Sequence, residues 1–208
     1  MPARVRPSGS SATPPPDIGS RRSADAFMQQ LVALVTQEGI SGLTVGEIAA
    51  RLQCSRRRLY DLASTKEELL RVVAREVFDD VLRQGAVAAT GQTDAAAAVV
   101  TYLHVGVTAA ARLSPAFRAD LEATAEGRAV FDDYQEARRK GLQTLIDAGA
   151  ASGRLVPHNA AVIAEAALGA AHRLRQPRVL QHAGVSMETA FSEFYAVLTM
   201  GLLPRPEA

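Results

Sequence analysis

The chain has 208 residues, with 23 Lys and Arg against 22 Asp and Glu, a formal net charge of +1, one Cys and no Trp. That length allows one or two domains with a real core, and a lone Cys excludes a disulfide framework or a Cys-based zinc cluster. A charge so near zero excludes a globally basic, non-specific nucleic-acid binder, but not a small basic patch. Alanine occurs 39 times and aromatics make up only 5%, a composition that predicts an all-α protein.

The first 20 residues, MPARVRPSGSSATPPPDIGS, hold five Pro and no apolar run. They read as neither a secretory signal nor a folding segment. A disordered tail is expected there, with a basic arm through Arg4 and Arg6 as the alternative. No run of 18 uncharged apolar residues predicts a transmembrane helix, and a cytoplasmic protein is expected.

From Arg21 to Glu38, Phe27, Leu31, Leu34 and Val35 share one helical face. Gly39 follows as an αL C-cap. Thr44 and Glu47 make a T-x-x-E capping box for a second, short helix containing Val45, Ile48, Ala49 and Leu52. Ser55 caps a third helix, Arg56 to about Leu62. Ser64 or Thr65 caps a fourth, expected to run to about Arg83.

Two short helices joined by a tight turn are the helix-turn-helix layout. The chemistry of the second member sharpens that reading. It opens Ser55-Arg56-Arg57-Arg58, and between Ile48 and Tyr60 there are four Arg and no acid. The start of a recognition helix is where side chains meet base edges. An Arg fork matches guanine O6 and N7 and also pairs with phosphate. Tyr60 offers a hydroxyl to a phosphate, and Lys66 adds a charge beside the free N–H groups opening the fourth helix. A solvated Arg run on an ordinary surface helix is the competing reading.

The rest of the chain is predicted helical. The expected helices are Asp94 to Arg112, a short one after Pro115, Gly127 to about Ala150, about 159–176 before Pro177, and about 186–201. The last two are apolar on most sides and must be buried by something.

The stretch LVALVTQEGISGLTVGEIAARLQCSRRRLYDLASTKEELLRVVAREVF resembles the DNA-binding domain of TetR-family transcriptional regulators. The resemblance rests on Gly39, Thr44, Ile48-Ala49, Ser55, Leu59-Tyr60 and Lys66-Glu67-Glu68-Leu69. It implies a helix-turn-helix domain at 21–66 and a helical ligand-binding and dimerisation domain at 67–208, connected through a helix at 67–83. Thr44, Tyr60 and Lys66 would contact phosphates, and Arg56 and Arg57 would read bases. Arg58 could do either, and Ser55 belongs with this set. The last two helices would form a two-fold homodimer interface. An inducer pocket is expected, with Tyr102, His104, Tyr134 and His172 as candidate polar groups.

The chain departs from the family at two places. Gln53 stands where the turn usually has Gly, so a positive φ there would carry strain. Ala63 replaces an aromatic. Cys54 is read as a small hydrophobe under the turn, with a thiol sensor as the alternative.

No catalytic motif appears, and the four His lack ligand spacing. No enzyme activity, cofactor or metal is therefore expected. The resulting expectation is a ligand-responsive repressor of a palindromic operator on double-stranded DNA. The alternatives are a nucleoid or accessory DNA-binding protein, or a helical small-molecule carrier or enzyme.

Overall fold

The computed structural model describes residues 18–203, with side chains from residue 24 onward. Residues 1–17 hold most of the expected tail, with Arg4 and Arg6, and lie outside the described residues.

Among the described residues ten helices follow in order: α1 (Ile18–Glu38), α2 (Val45–Arg51), α3 (Arg56–Tyr60), α4 (Lys66–Thr90), α5 (Ala95–Arg112), α6 (Pro115–Ala123), α7 (Ala125–Ala151), α8 (Ala160–Leu174), α9 (Pro177–Ala183) and α10 (Met187–Leu202). No strand occurs among the described residues.

Local chemistry sets the starts. Thr44, Ser55, Thr65, Asp94, Ser114, Thr124, Asn159 and Ser186 each accept a backbone N–H from the first turn of the helix they open. Gly39 turns the chain out of α1 with φ 75°.

Four boundaries differ from expectation, the first being the start of α1 at Ile18, within the stretch expected as tail. α4 continues past Arg83 to Thr90, because Gly85 and Ala89 lie buried on its inner face and Gly85 packs against Tyr102 of α5. α7 begins at Ala125, capped by Thr124. Pro177 opens α9 instead of only stopping α8, since Pro is well placed in a first helical turn. His182, expected between helices, therefore sits on α9.

Two main cores result. The first joins α1, α2, α3 and the first part of α4 to Phe117 and Leu121 of α6 and Val130 and Tyr134 of α7. It thus passes across residue 66 into the larger helical region. The second joins Ala89, Val99, Leu103, Leu142, Ile146, Ala164 and Leu168 with the end of α10. α5 is long and apolar enough to cross a membrane by length and composition alone, but its Val99, Tyr102, Leu103 and Val107 are buried in protein.

Asp120 ties the two regions together. Its buried carboxylate accepts the backbone N–H of Ile40, and that of Ser41 at 3.3 Å. The α1–α2 loop is therefore held by α6.

Candidate nucleic-acid interface and ligand cavity

α2 and α3 are held by a tight turn. Cys54 N–H donates to Ala49 O at 2.9 Å and Gln53 N–H to Ala50 O at 3.2 Å. Gln53 has φ 50°, so the turn keeps a left-handed residue even without glycine. Cys54 packs against the first core, as a small hydrophobe would.

The capping box of α2 is closed on both sides. Glu47 N–H donates to the Thr44 hydroxyl at 3.2 Å, and the Glu47 carboxylate accepts from Thr44 N–H at 2.7 Å and from its hydroxyl at 2.8 Å. These bonds hold the Glu47 carboxyl below its ordinary pKa. In the free protein the Thr44 hydroxyl is thus already engaged. So is Lys66, whose ammonium donates to Ser41 O at 3.1 Å and Leu43 O at 2.7 Å.

α3 turns one buried residue, Leu59, into the core. Ser55, Arg56, Arg57, Arg58 and Tyr60 are exposed, Tyr60 to 53%. Their arrangement separates them. The Arg56 guanidinium lies over Gly46 of α2. Arg58 turns back onto α1, its Cζ 4.0 Å from the centre of the Phe27 ring. The Arg57 side chain is held by no hydrogen bond or ion pair within the described residues. Ser55 Oγ accepts Arg58 N–H at 3.3 Å, which leaves its proton available.

The basic patch is smaller than the sequence count of four arginines. Arg51 pairs with Glu38 of α1, so its charge is answered locally. Arg56 and Arg57 carry what remains.

The four candidate ligand groups divide. Tyr102 and Tyr134 are buried, and His104 and His172 are exposed. The Tyr102 hydroxyl donates to Arg138 O at 3.3 Å, linking α5 to α7. Tyr134 stacks on Phe78 of α4 with ring centres 4.3 Å apart. Burial pushes both phenols above their ordinary pKa, against the opposing pull of Arg138.

Of these four only Tyr134 lines the small cavity between α4, α5 and α7, about 30 Å³ in volume. Its remaining wall includes two groups the sequence reading missed, Arg138 and Arg175. A signal existed for the first. Val130, Tyr134, Arg138, Leu142 and Ile146 recur every four residues, which puts an arginine on an otherwise apolar stripe. A larger groove of about 890 Å³ beside α1 and α4 is open and rimmed by both signs of charge, among them Asp25, Glu76, Asp80, Arg83 and Arg112. Among the described residues no three His, Cys, Asp or Glu side chains form a metal-binding group.

No family model matches the chain, and no curated protein does. Solved structures share its fold. A choline-bound protein from Saccharomonospora viridis is 12% identical with a TM-score of 0.70, over 89% of this chain and 100% of that one. The transcriptional regulator FadR from Bacillus subtilis, in complex with stearoyl-CoA, is 13% identical with a TM-score of 0.67, over 86% and 98%. The TetR-family transcriptional regulator PfmR from Thermus thermophilus is 16% identical with a TM-score of 0.54, over 86% and 99%.

Proposed function

We propose that this chain, which has the all-α fold of TetR-type transcriptional regulators, is a homodimeric, sequence-specific DNA-binding regulator. It represses from a palindromic operator and is released when a small molecule binds among α4, α5 and α7. One observation carries the reading. α3 stands exposed on a capped helix-turn-helix and presents Arg56, Arg57 and Tyr60 without an acidic partner among the described residues, the chemistry that reads guanine and phosphate.

Thr44, Ser55 and Lys66 flank that helix and would meet phosphates. For Lys66 this requires exchanging a carbonyl for a phosphate oxygen, which leaves the ammonium well bonded in both states. The release step is supported by connectivity. α4 follows α3 after a short loop and forms one wall of the cavity with Val77, Phe78 and Val81. Small molecules bound to two of the similar structures, choline and stearoyl-CoA, support a ligand role for the helical region.

The dimer reading rests on α8 and α10. Val162, Val197 and Met200 are each more than 60% exposed, and Gly169 and Gly201 have open space above them. Apolar and small residues on two adjacent helices suit a close, two-fold helix packing.

The test is selection of DNA from a random-sequence pool, followed by footprinting. An inverted repeat is expected, with half-sites roughly 34–36 Å apart, and affinity that falls steeply with salt. Recovery of unrelated sequences would replace this reading with an accessory DNA-binding protein. Val197→Glu combined with Met200→Glu should yield monomers by sedimentation, with affinity lost for the full repeat. A dimer that persists would place the interface elsewhere.

A further inference from the structure

Arg138 of α7 is only 6% exposed, yet it forms no ion pair within the described residues. Its one hydrogen bond to a backbone carbonyl, Leu103 O, is long at 3.5 Å. The guanidinium sits against the bare backbone of Gly106, where even a methyl group would collide with it, and 5.8 Å from the centre of the Tyr134 ring. The fold has cleared space for this charge without supplying a carboxylate to answer it.

Arg175, just past the end of α8, lines the same cavity and is likewise unpaired. Burial and the like charge of Arg138 both lower its pKa. A third polar group nearby, outside the cavity lining, is Tyr195 of α10. Its hydroxyl is buried with no hydrogen-bond partner among the described residues and lies within electrostatic reach of both guanidiniums.

An unpaired buried charge is strongly disfavoured, and the partly buried Arg175 adds a second charge of the same sign at one cavity. Guanidinium forks and a phenol O–H are donors suited to an oxyanion. The opposite wall is apolar, built from Val77, Phe78, Val81, Leu113 and Phe131.

We propose that this cavity is a site for an organic anion, with Arg138 and Arg175 holding its carboxylate or phosphate head beside the Tyr195 hydroxyl and the α4 wall holding its apolar body. At about 30 Å³ the cavity has room for about one water molecule. The body of such a ligand enters only as α4 moves away from α5 and α7. This names the ligand class for the site invoked above and rests on that reading for its regulatory consequence.

The test uses the full chain and four eight-carbon probes: octanoate, octyl phosphate, octanol and octylammonium. Binding is measured by calorimetry and thermal shift. Octanoate or octyl phosphate should bind and raise the melting temperature, and the stronger of the two identifies the head group. Octanol and octylammonium should not. Affinity for the anion should fall about 100-fold in Arg138→Met and in Arg175→Met. Arg138→Met without ligand should melt above the wild type, because an unpaired charge is gone. Should Arg138→Met fold poorly, Arg175→Met and the charge-keeping Arg138→Lys carry the comparison.

Equal binding of octanol and octanoate, no binding of either anion, or undiminished anion binding by the folded Met variants would overturn the site. DNA release is read separately on the selected repeat. Anion binding through Arg138 without loss of DNA affinity keeps the site and removes the release reading. DNA release by uncharged molecules alone, with no anion bound, keeps release and removes the site.

Discussion

Gly46 of α2 lies directly beneath the guanidinium of Arg56 in α3: a methyl group at Gly46 would stand 2.7 Å from Arg56 Nη2 and 3.2 Å from Cζ. The far end of an arginine moves cheaply, so Gly46→Ala should fold. It should even stabilise α2 by about 0.5–1 kcal/mol, the helical cost of glycine. The Arg56 head would be displaced, and with it the base it meets. The variant should therefore melt higher and select a different DNA sequence. An unchanged preference would show that Arg56 does not read bases.

Arg57 and Arg58 should separate by assay although they are neighbours. The exposed Arg57 side chain makes no hydrogen bond or ion pair among the described residues, so Arg57→Ala should leave the melting temperature unchanged. It should cost about 1–3 kcal/mol of operator binding and relax one base position. Arg58 stacks on Phe27, so Arg58→Ala should lose about 0.5–1 kcal/mol of stability. Tyr60→Phe should weaken binding equally on all sequences, as loss of a phosphate contact does. Selective loss on one sequence would assign Tyr60 to a base. Gel shifts on a panel of operator variants distinguish these outcomes.

Gln53 holds φ 50°, a region that costs a non-glycine residue about 1–2 kcal/mol. Gln53→Gly removes that strain, partly offset by the greater freedom of glycine in the unfolded chain. A net gain of about 0.5–1 kcal/mol in urea unfolding is expected. A loss would mean that the Gln53 side chain contributes more than its backbone costs.

The phenol of Tyr195 is pushed up to about 12 by burial, with Arg138 and Arg175 opposing the rise. A pKa raised on folding means that the native state holds the proton more tightly. Stability is then full below the ordinary value of 10.0 and falls as pH rises toward about 12. Tyr102 and Tyr134 are shifted the same way. Tyr195→Phe should reduce the alkaline slope of unfolding free energy. At neutral pH it should be neutral to stabilising by about 1 kcal/mol, since the lost hydroxyl has no partner. An unchanged alkaline slope would mean that Tyr195 ionises freely in the native state.

The helix-turn-helix was legible in the sequence because its signals act over a few residues. Thr44 with Glu47, Ser55, Asn159 and Ser186 each cap within one turn. The apolar spacing of α1 fixes its buried face by helical geometry alone. The true ends of α4 and the existence of α9 were not legible. The local signals end α4 near Arg83 and make Pro177 only the stop of α8, whereas Gly85 and Ala89 pack on the inner face of α4 and Pro177 opens α9.

The charge count of +1 illustrates the division. The sequence alone determined that positive charge is concentrated at the start of α3 in a chain that is otherwise balanced. Only the tertiary structure decided what each charge does. Glu38 answers Arg51, Phe27 carries Arg58, Gly46 makes room for Arg56, and Arg57 is left over. Tertiary packing also put Arg138 and Arg175 at one cavity, though 36 residues separate the two in the chain. The reason is range. Caps and helical periods are set by neighbours three or four residues away. Whether a charge is paired, stacked or stranded depends on which surface the fold brings against it.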